Sequence, residues 1–211
     1  MKQNFEYRNA AWDMLKADWK GAVLLYLIIM LISTVISTAL GFVIASEELA
    51  SFANLLAEIF VAIPLSYLFI KEMLGFVRGG KIEISSSLVD KFKADYLKSI
   101  KVIGLMSIYI FLWCLLLFIP GIIKAYSYCF APYISMDNDE LTAEECINES
   151  MKMMNGNKWR LFLLDLSFIG WYLLAIFFTL GIGLLWVVPY HETAHILFYE
   201  DLKSQPQLVQ E

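Results

Sequence analysis

Residues 21–45, GAVLLYLIIMLISTVISTALGFVIA, carry no charged side chain. As a helix rising about 1.5 Å per residue they extend about 37 Å, more than the ~30 Å hydrocarbon core of a bilayer. The stretch is too long, and starts too far from the N-terminus, for a cleaved signal peptide, and is read as a retained first span. Composition agrees: 59% of residues are hydrophobic and 18% charged, with a mean hydropathy of +0.63. Soluble domains have about 45–50% and about 25%. An integral membrane protein is expected. The formal charge of −5, the isoelectric point near 5.1 and the lack of a basic stripe interleaved with aromatics argue against nucleic acid as a partner.

Further apolar runs at 55–77, 102–120, 121–136, 161–179 and 182–199 bring the expected crossings to six, in three hairpins. The fourth run is short and contains Lys124 and Pro132, so 102–136 also admits one long helix bent at IPG. Lysine and arginine decide between these, because loops left on the cytoplasmic side are enriched in them. Lys2, Arg8, Lys16 and Lys20 precede the first run. Arg78, Lys81, Lys91, Lys93, Lys98 and Lys101 lie between the second and third, and Lys152, Lys158 and Arg160 precede the fifth. SEELAS after the first run and TLGIG after the fifth hold no basic residue, as outer turns should. The pattern favours six crossings with both termini cytoplasmic. The expected fold is an all-α polytopic bundle, residues 1–211 forming one membrane domain with a polar tail at 204–211.

Each cytoplasmic segment also carries an apolar stripe. Phe5, Trp12, Leu15 and Trp19 fall within about 80° at 100° per residue, a pattern that lies in the interface or docks on a bundle. Leu88, Val89, Phe92 and Tyr96 do the same behind the cap-like SSS at 85–87. In the third segment Thr142 and Glu145 form a capping box and Gly156 is placed to end the helix. There Ala143, Cys146, Ile147, Ser150 and Met154 gather within about 100°. Three cytoplasmic-side amphipathic helices are thus expected, each before a pair of spans. Their junctions, LKADWKGAVLL, FKADYLKSIKV and MNGNKWRLFLL, look alike and suggest repeat units 1–78, 79–136 and 137–203. Lysine and tryptophan at a membrane boundary produce the same likeness without a repeat.

One motif points to chemistry. HETAH, from His191 to His195, has the spacing in which two histidines one helical turn apart bind zinc while Glu192 serves as general base. Zinc needs a third ligand. Counted from the turn at 180–181, Asp165 sits at the depth of His195, so Asp165, His191 and His195 form a geometrically admissible set. Phe198, however, occupies the position of the metzincin glycine, and no aspartate-glycine pattern follows. Pro189 kinks the helix for packing as readily as for a site. The competing reading is structural: a carboxylate near the bilayer centre costs about 2.5–3.5 kcal/mol and must find a donor. His195 is the obvious donor, and a metal-free polar cluster of Asp165 and His195 is the favoured reading, with no cofactor and no catalytic residue assigned.

RNAAWDMLKADWKGA, IPGIIKAYSYCFAPY, SMKMMNGNKWRLFLLDLSFIGW and GIGLLWVVPYHETAHILFYEDL, in this order, resemble a family of bacterial integral membrane proteins, the domain of unknown function 975. The resemblance covers nearly the whole chain and implies a multi-pass bacterial inner-membrane protein without an established activity. Its signature falls on Ser150, Gly156, Phe168, Gly170, Trp171, Gly181, Gly183, Pro189, Tyr190 and Tyr199, not on the histidines. Gly170, Gly181 and Gly183 are expected to let backbones approach, the last two also suiting a hairpin turn. The Trp171 indole, deep in the fifth run, needs a hydrogen-bond acceptor.

Glu58 and Lys124 are expected near the outer interface, and Lys71 and Glu72 near the inner one. DNDELTAEE at 137–145 reads as a solvated face. Cys114, Cys129 and Cys146 lack metal spacing and are expected as reduced thiols. The expected role is non-enzymatic: membrane organisation, assembly or service to another membrane system, with membrane lipids and an unidentified membrane-protein partner as contacts. A small-solute or lipid transporter is the first alternative, since Pro64, Pro120, Pro132 and Pro189 interrupt four of the six runs as broken helices around a cavity would. An intramembrane zinc protease is the second.

Overall fold

A computed structural model describes residues 3–44, 46–82, 84–85 and 87–205. Lys2, the end of the first run at Ala45, Ser86 and the tail from 206 onward lie outside the described residues, as do the side chains of Glu58 and Ser87.

Every regular element among the described residues is helical: α1 (Asn4–Leu15), α2 (Trp19–Val43), α3 (Glu47–Ala57), α4 (Ile63–Val77), α5 (Ser87–Leu116), α6 (Phe118–Tyr128), α7 (Ala131–Asp137), α8 (Ala143–Met153), α9 (Lys158–Thr179) and α10 (Leu184–Ser204). α2 begins where the Asp18 carboxylate accepts the Gly21 N–H at 2.9 Å. α3 runs into α4 through a π-helical turn, Glu58–Ala62, just ahead of Pro64. Proline supplies no N–H and its ring displaces a preceding carbonyl, and the wider turn accommodates both. Thr142 and Glu145 cap α8 reciprocally, the Glu145 carboxylate accepting the Thr142 N–H at 2.8 Å. Gly156 follows at φ +78°, a left-handed conformation that turns the chain towards α9.

Four stretches are long and apolar enough to cross a membrane: Trp19–Val43, Glu47–Val77, Leu88–Leu116 and Lys158–Thr179. Their side chains largely point outward, with Phe42 87%, Val43 82% and Phe178 81% exposed. Contiguous apolar surface on this scale is suited to lipid rather than water. α10 is also long, but Glu192, Glu200 and Asp201 interrupt it and it is not among the four.

Several expectations need correction. The stripe at 88–96 does not form a helix of its own: α5 continues through LKSIK into the apolar run, because nothing in that junction breaks a helix. The helix of the third run ends at Leu116, not Pro120, since a proline is tolerated within the first turn of the next helix. The fourth run is two helices, α6 and α7, interrupted at Cys129 and Phe130. The break is closed by Ser150 of α8, whose hydroxyl donates to Ser127 O (2.8 Å) and accepts the Phe130 N–H (3.2 Å). α8 therefore folds back along α7 to α6, and Lys124 lies 3.9 Å from Met151 Sδ of α8 and over the Trp113 ring. On α1 the buried face is Tyr7, Ala11 and Leu15, whereas Phe5 and Trp12 are exposed. Gly170 has open space at its Cβ position, so it is Gly183, pressed against Ala175, that permits close approach.

α10 is the axis of the packing. α1, α2, α4 and α9 all lie against it, and Tyr7 joins α1 to its far end through the Phe198 ring and a hydrogen bond to Asp201.

Candidate functional site

α9 and α10 are joined by a tight turn in which Leu180 (φ 49°) and Gly181 (φ +89°) are left-handed and the Gly181 N–H donates to Ala175 O at 3.1 Å. So short a connection fixes the register of the two helices, which brings Asp165 of α9 level with His191 and His195 of α10. Their spacing of four residues puts both imidazoles on one face. Asp165 Oδ1 accepts from His195 Nε2 at 2.5 Å and from His191 Nε2 at 3.0 Å, and Oδ2 accepts from the Tyr126 hydroxyl of α6 at 2.8 Å. With Nε2 donating, His191 Nδ1 is left to accept, and the Tyr172 hydroxyl lies 3.0 Å from it. Phe168 covers the His191 ring at 4.5 Å between centroids.

Glu192 is turned away from this group. Its carboxylate accepts from the Tyr133 hydroxyl of α7 at 2.6 Å. The residue that a zinc hydrolase would use as general base is thus engaged with a neighbouring helix. Asp165, His191 and His195 nevertheless offer three ligand atoms within 4.8 Å of one another. The donor set suits zinc with one position open, but ligands sharing a tetrahedral ion at 2.0–2.1 Å are separated by about 3.3 Å. The 2.5 Å between Asp165 and His195 is a hydrogen-bond distance.

A second cluster, absent from the sequence reading, closes the other end of α10. Asp137, the first residue of the acidic run, receives both Arg78 Nη atoms (2.6 and 2.9 Å), the Tyr199 hydroxyl (2.7 Å) and Lys203 Nζ (2.7 Å). Arg78 also donates to Glu200 at 2.6 Å. Burial pushes the Asp137 carboxyl up, but these donors outweigh it and hold it down at about 2. The acidic run is therefore not simply a solvated face. Lys71 pairs with Asp95 at 2.5 Å and Lys91 with Glu72 at 2.7 Å, tying α4 to α5. Cys114, Cys129 and Cys146 are free.

The remaining expected residues fall into packing positions. Pro64 and Pro189 are buried, and beside the π turn a cavity of about 100 Å³ is lined by Ser33, Ser37, Asn54 and Ala62. It has room for a few waters. Trp171 is 42% exposed and sets its edge against Tyr190.

The chain matches the family described as protein of unknown function (DUF975) over residues 1–127 and 114–206. It is a DUF975 protein. No curated protein and no solved structure matches it. For this member of DUF975 the functional reading therefore rests on its own geometry.

Proposed function

We propose that this DUF975 protein is a multi-pass protein of the bacterial cytoplasmic membrane with a non-enzymatic role in membrane organisation, assembly or service to another membrane protein. It crosses six times with both termini inside, α6 with α7 and α10 supplying the two crossings whose composition is least apolar. The observation that carries the non-enzymatic reading is the occupancy of Asp165: His191, His195 and Tyr126 donate to it, which braces α6, α9 and α10 and leaves the carboxylate no role as an open reactive group. Site-specific photocrosslinking in cells tests the role. Recovery of the same membrane-protein neighbour from independent positions supports it, and a chain that crosslinks to no protein overturns it. Accessibility reporters at Glu47, Gly79 and Asn138 test the topology, with the first expected outside and the other two inside.

A zinc site is the second reading, favoured by the three ligand atoms within 4.8 Å. Metal analysis of the purified protein separates the two. Stoichiometric zinc lost in both His191→Ala and His195→Ala replaces the brace with a metal centre, whereas metal-free protein that loses thermal stability in both variants keeps the brace.

A further inference from the structure

One face of α5 stays exposed along nearly its whole length. Val89, Lys93, Leu97 and Lys101 follow one another at four-residue spacing, and Ile108, Phe111 and Leu115 continue the same face. At 100° per residue all seven fall within about 120°. From Val89 to Leu115 a helix extends about 39 Å, more than the ~30 Å of a hydrocarbon core, so this face cannot meet lipid tails throughout. Measured back from Leu116, about 28 Å ends at Leu97, which is 67% exposed. Two observations place the inner boundary at the same level. Lys98, the next residue, pairs at 2.5 Å with the exposed Asp139, in the segment that follows α7. Trp159, exposed at the start of α9, lies about 31 Å along the helix from the turn at Leu180, where an interfacial indole belongs.

The lysines of α5 divide by face. Lys91 and Lys98, turned towards the rest of the chain, are met by Glu72 and Asp139. Lys93 and Lys101 are exposed, and among the described residues no carboxylate pairs with either. Asp90 is exposed on the same face and forms no ion pair there, while Asp95 is turned to Lys71. Two lysines against one carboxylate leave the face positive. Lys93 stands one turn to the water side of Leu97 and Lys101 one turn to the tail side, from where its four-carbon stem reaches back towards water. Both ammonium groups therefore converge on the plane of the lipid phosphates.

We infer that this face of α5 binds an anionic phospholipid of the inner leaflet, whose headgroup accepts from Lys93 and Lys101 while its acyl chain lies along Leu97 and Ile108. The occupant follows from continuity and charge. The exposed face runs without a break from the lysines into the surface offered to lipid tails, so a lipid seated on Ile108 carries its head to them. A headgroup that bears its own cation already neutralises its phosphate, whereas an anionic one leaves a net charge for the lysines to meet. The inference rests on the membrane reading of α5, with its first turns on the cytoplasmic side.

The test is photocrosslinking from p-benzoylphenylalanine introduced at position 97 of the full chain, reconstituted in phosphatidylcholine bilayers with a minor fraction of phosphatidylglycerol. Lipid adducts are identified by mass. Phosphatidylglycerol should be enriched among them about fivefold over the bulk, the factor that one lysine supplies at a charged membrane surface. The enrichment should fall to the bulk ratio in Lys93→Gln/Lys101→Gln and survive in Lys20→Gln/Lys81→Gln, which removes the same charge elsewhere. It should also fall at about 1 M salt, where charges are screened beyond ~3 Å, and this arm decides if the first variant does not fold. Adducts in the bulk ratio from the chain with its lysines intact overturn the site. So do an enrichment that survives Lys93→Gln/Lys101→Gln, an equal loss in both double variants, or adducts to protein in place of lipid. The same probe at position 108 tests the underlying reading: lipid adducts from neither position overturn the membrane placement of α5 itself.

Discussion

α2 and α10 have similar lengths, 25 and 21 residues, and opposite designs. α2 is the more apolar, yet within it only Ala22 and Leu25 are buried. α10 carries two histidines and several charges, yet nine of its residues are buried, among them Tyr190, Thr193 and Tyr199. In a water-soluble protein the order would be reversed. Lipid tails are as apolar as leucine, so burying a leucine against another helix gains nothing from the hydrophobic effect, and association falls to packing and hydrogen bonds. On the membrane reading, apolarity along this chain therefore marks the surface offered to lipid, and polar and aromatic groups mark contact between helices. The largest effects of mutation belong at the polar contacts of α10, the smallest at the apolar surface of α2.

The strongest test of that contrast is Asp165→Ala against Ser37→Ala. Removing the Asp165 carboxylate strands donors on Tyr126, His191 and His195 at once. A loss of about 3 kcal/mol is expected, read as a lowered thermal midpoint in detergent. Ser37 also makes a hydrogen bond, to Asn54 at 3.0 Å, but at an exposed position, and its loss should stay within about 0.5 kcal/mol. Equal losses from the two variants would break the comparison.

Asp137 extends the contrast to the other end of α10 and makes it pH-dependent. Its carboxyl is held at about 2, below the ordinary 3.8, so its contribution to stability is present above pH 4 and is lost as pH falls towards 2. Arg78→Gln removes the two-pronged donor and should cost about 2 kcal/mol near neutrality. It should also move the acid loss to higher pH. An unchanged acid profile in detergent would mean that Arg78 does not hold Asp137.

Local features were the ones readable in the sequence. The capping box of Thr142 and Glu145 and the turns at Gly156 and Gly181 depend on a few neighbouring residues. The meeting of Asp165 with His195 follows from counting residues on either side of a short turn. Partners supplied by other elements were not readable: Tyr126 and Tyr133 reach the α10 cluster from α6 and α7, and nothing in their own surroundings points there. Asp137 was hidden for the same reason, its partners Arg78 and Tyr199 lying 59 and 62 residues away. Composition identifies a charge run but not the one member that is buried in a network. Wheel geometry likewise finds a stripe on α1, but which edge of it is covered depends on where α10 lies.

A finer test uses glycine, because adding one methyl group probes the space around a backbone without changing its chemistry. At Gly183 a Cβ would come within 2.8 Å of Thr179 Oγ1, 2.9 Å of Ala175 Cβ and 3.0 Å of Ala175 Cα. The last of these is backbone and cannot rotate aside, so the turn between α9 and α10 must open. Gly183→Ala should cost about 1–2 kcal/mol by overpacking. At Gly41, near the end of α2, nothing lies within 4 Å. There the methyl group meets no protein, and alanine's better helix propensity should stabilise by at most about 0.5–1 kcal/mol. Opposite signs in the two thermal midpoints are the expected result. A destabilising Gly41→Ala would mean that the far half of α2 packs against protein after all, either the rest of this chain or a neighbour in the membrane, and its apolar surface would then be an interface rather than a lipid-facing wall.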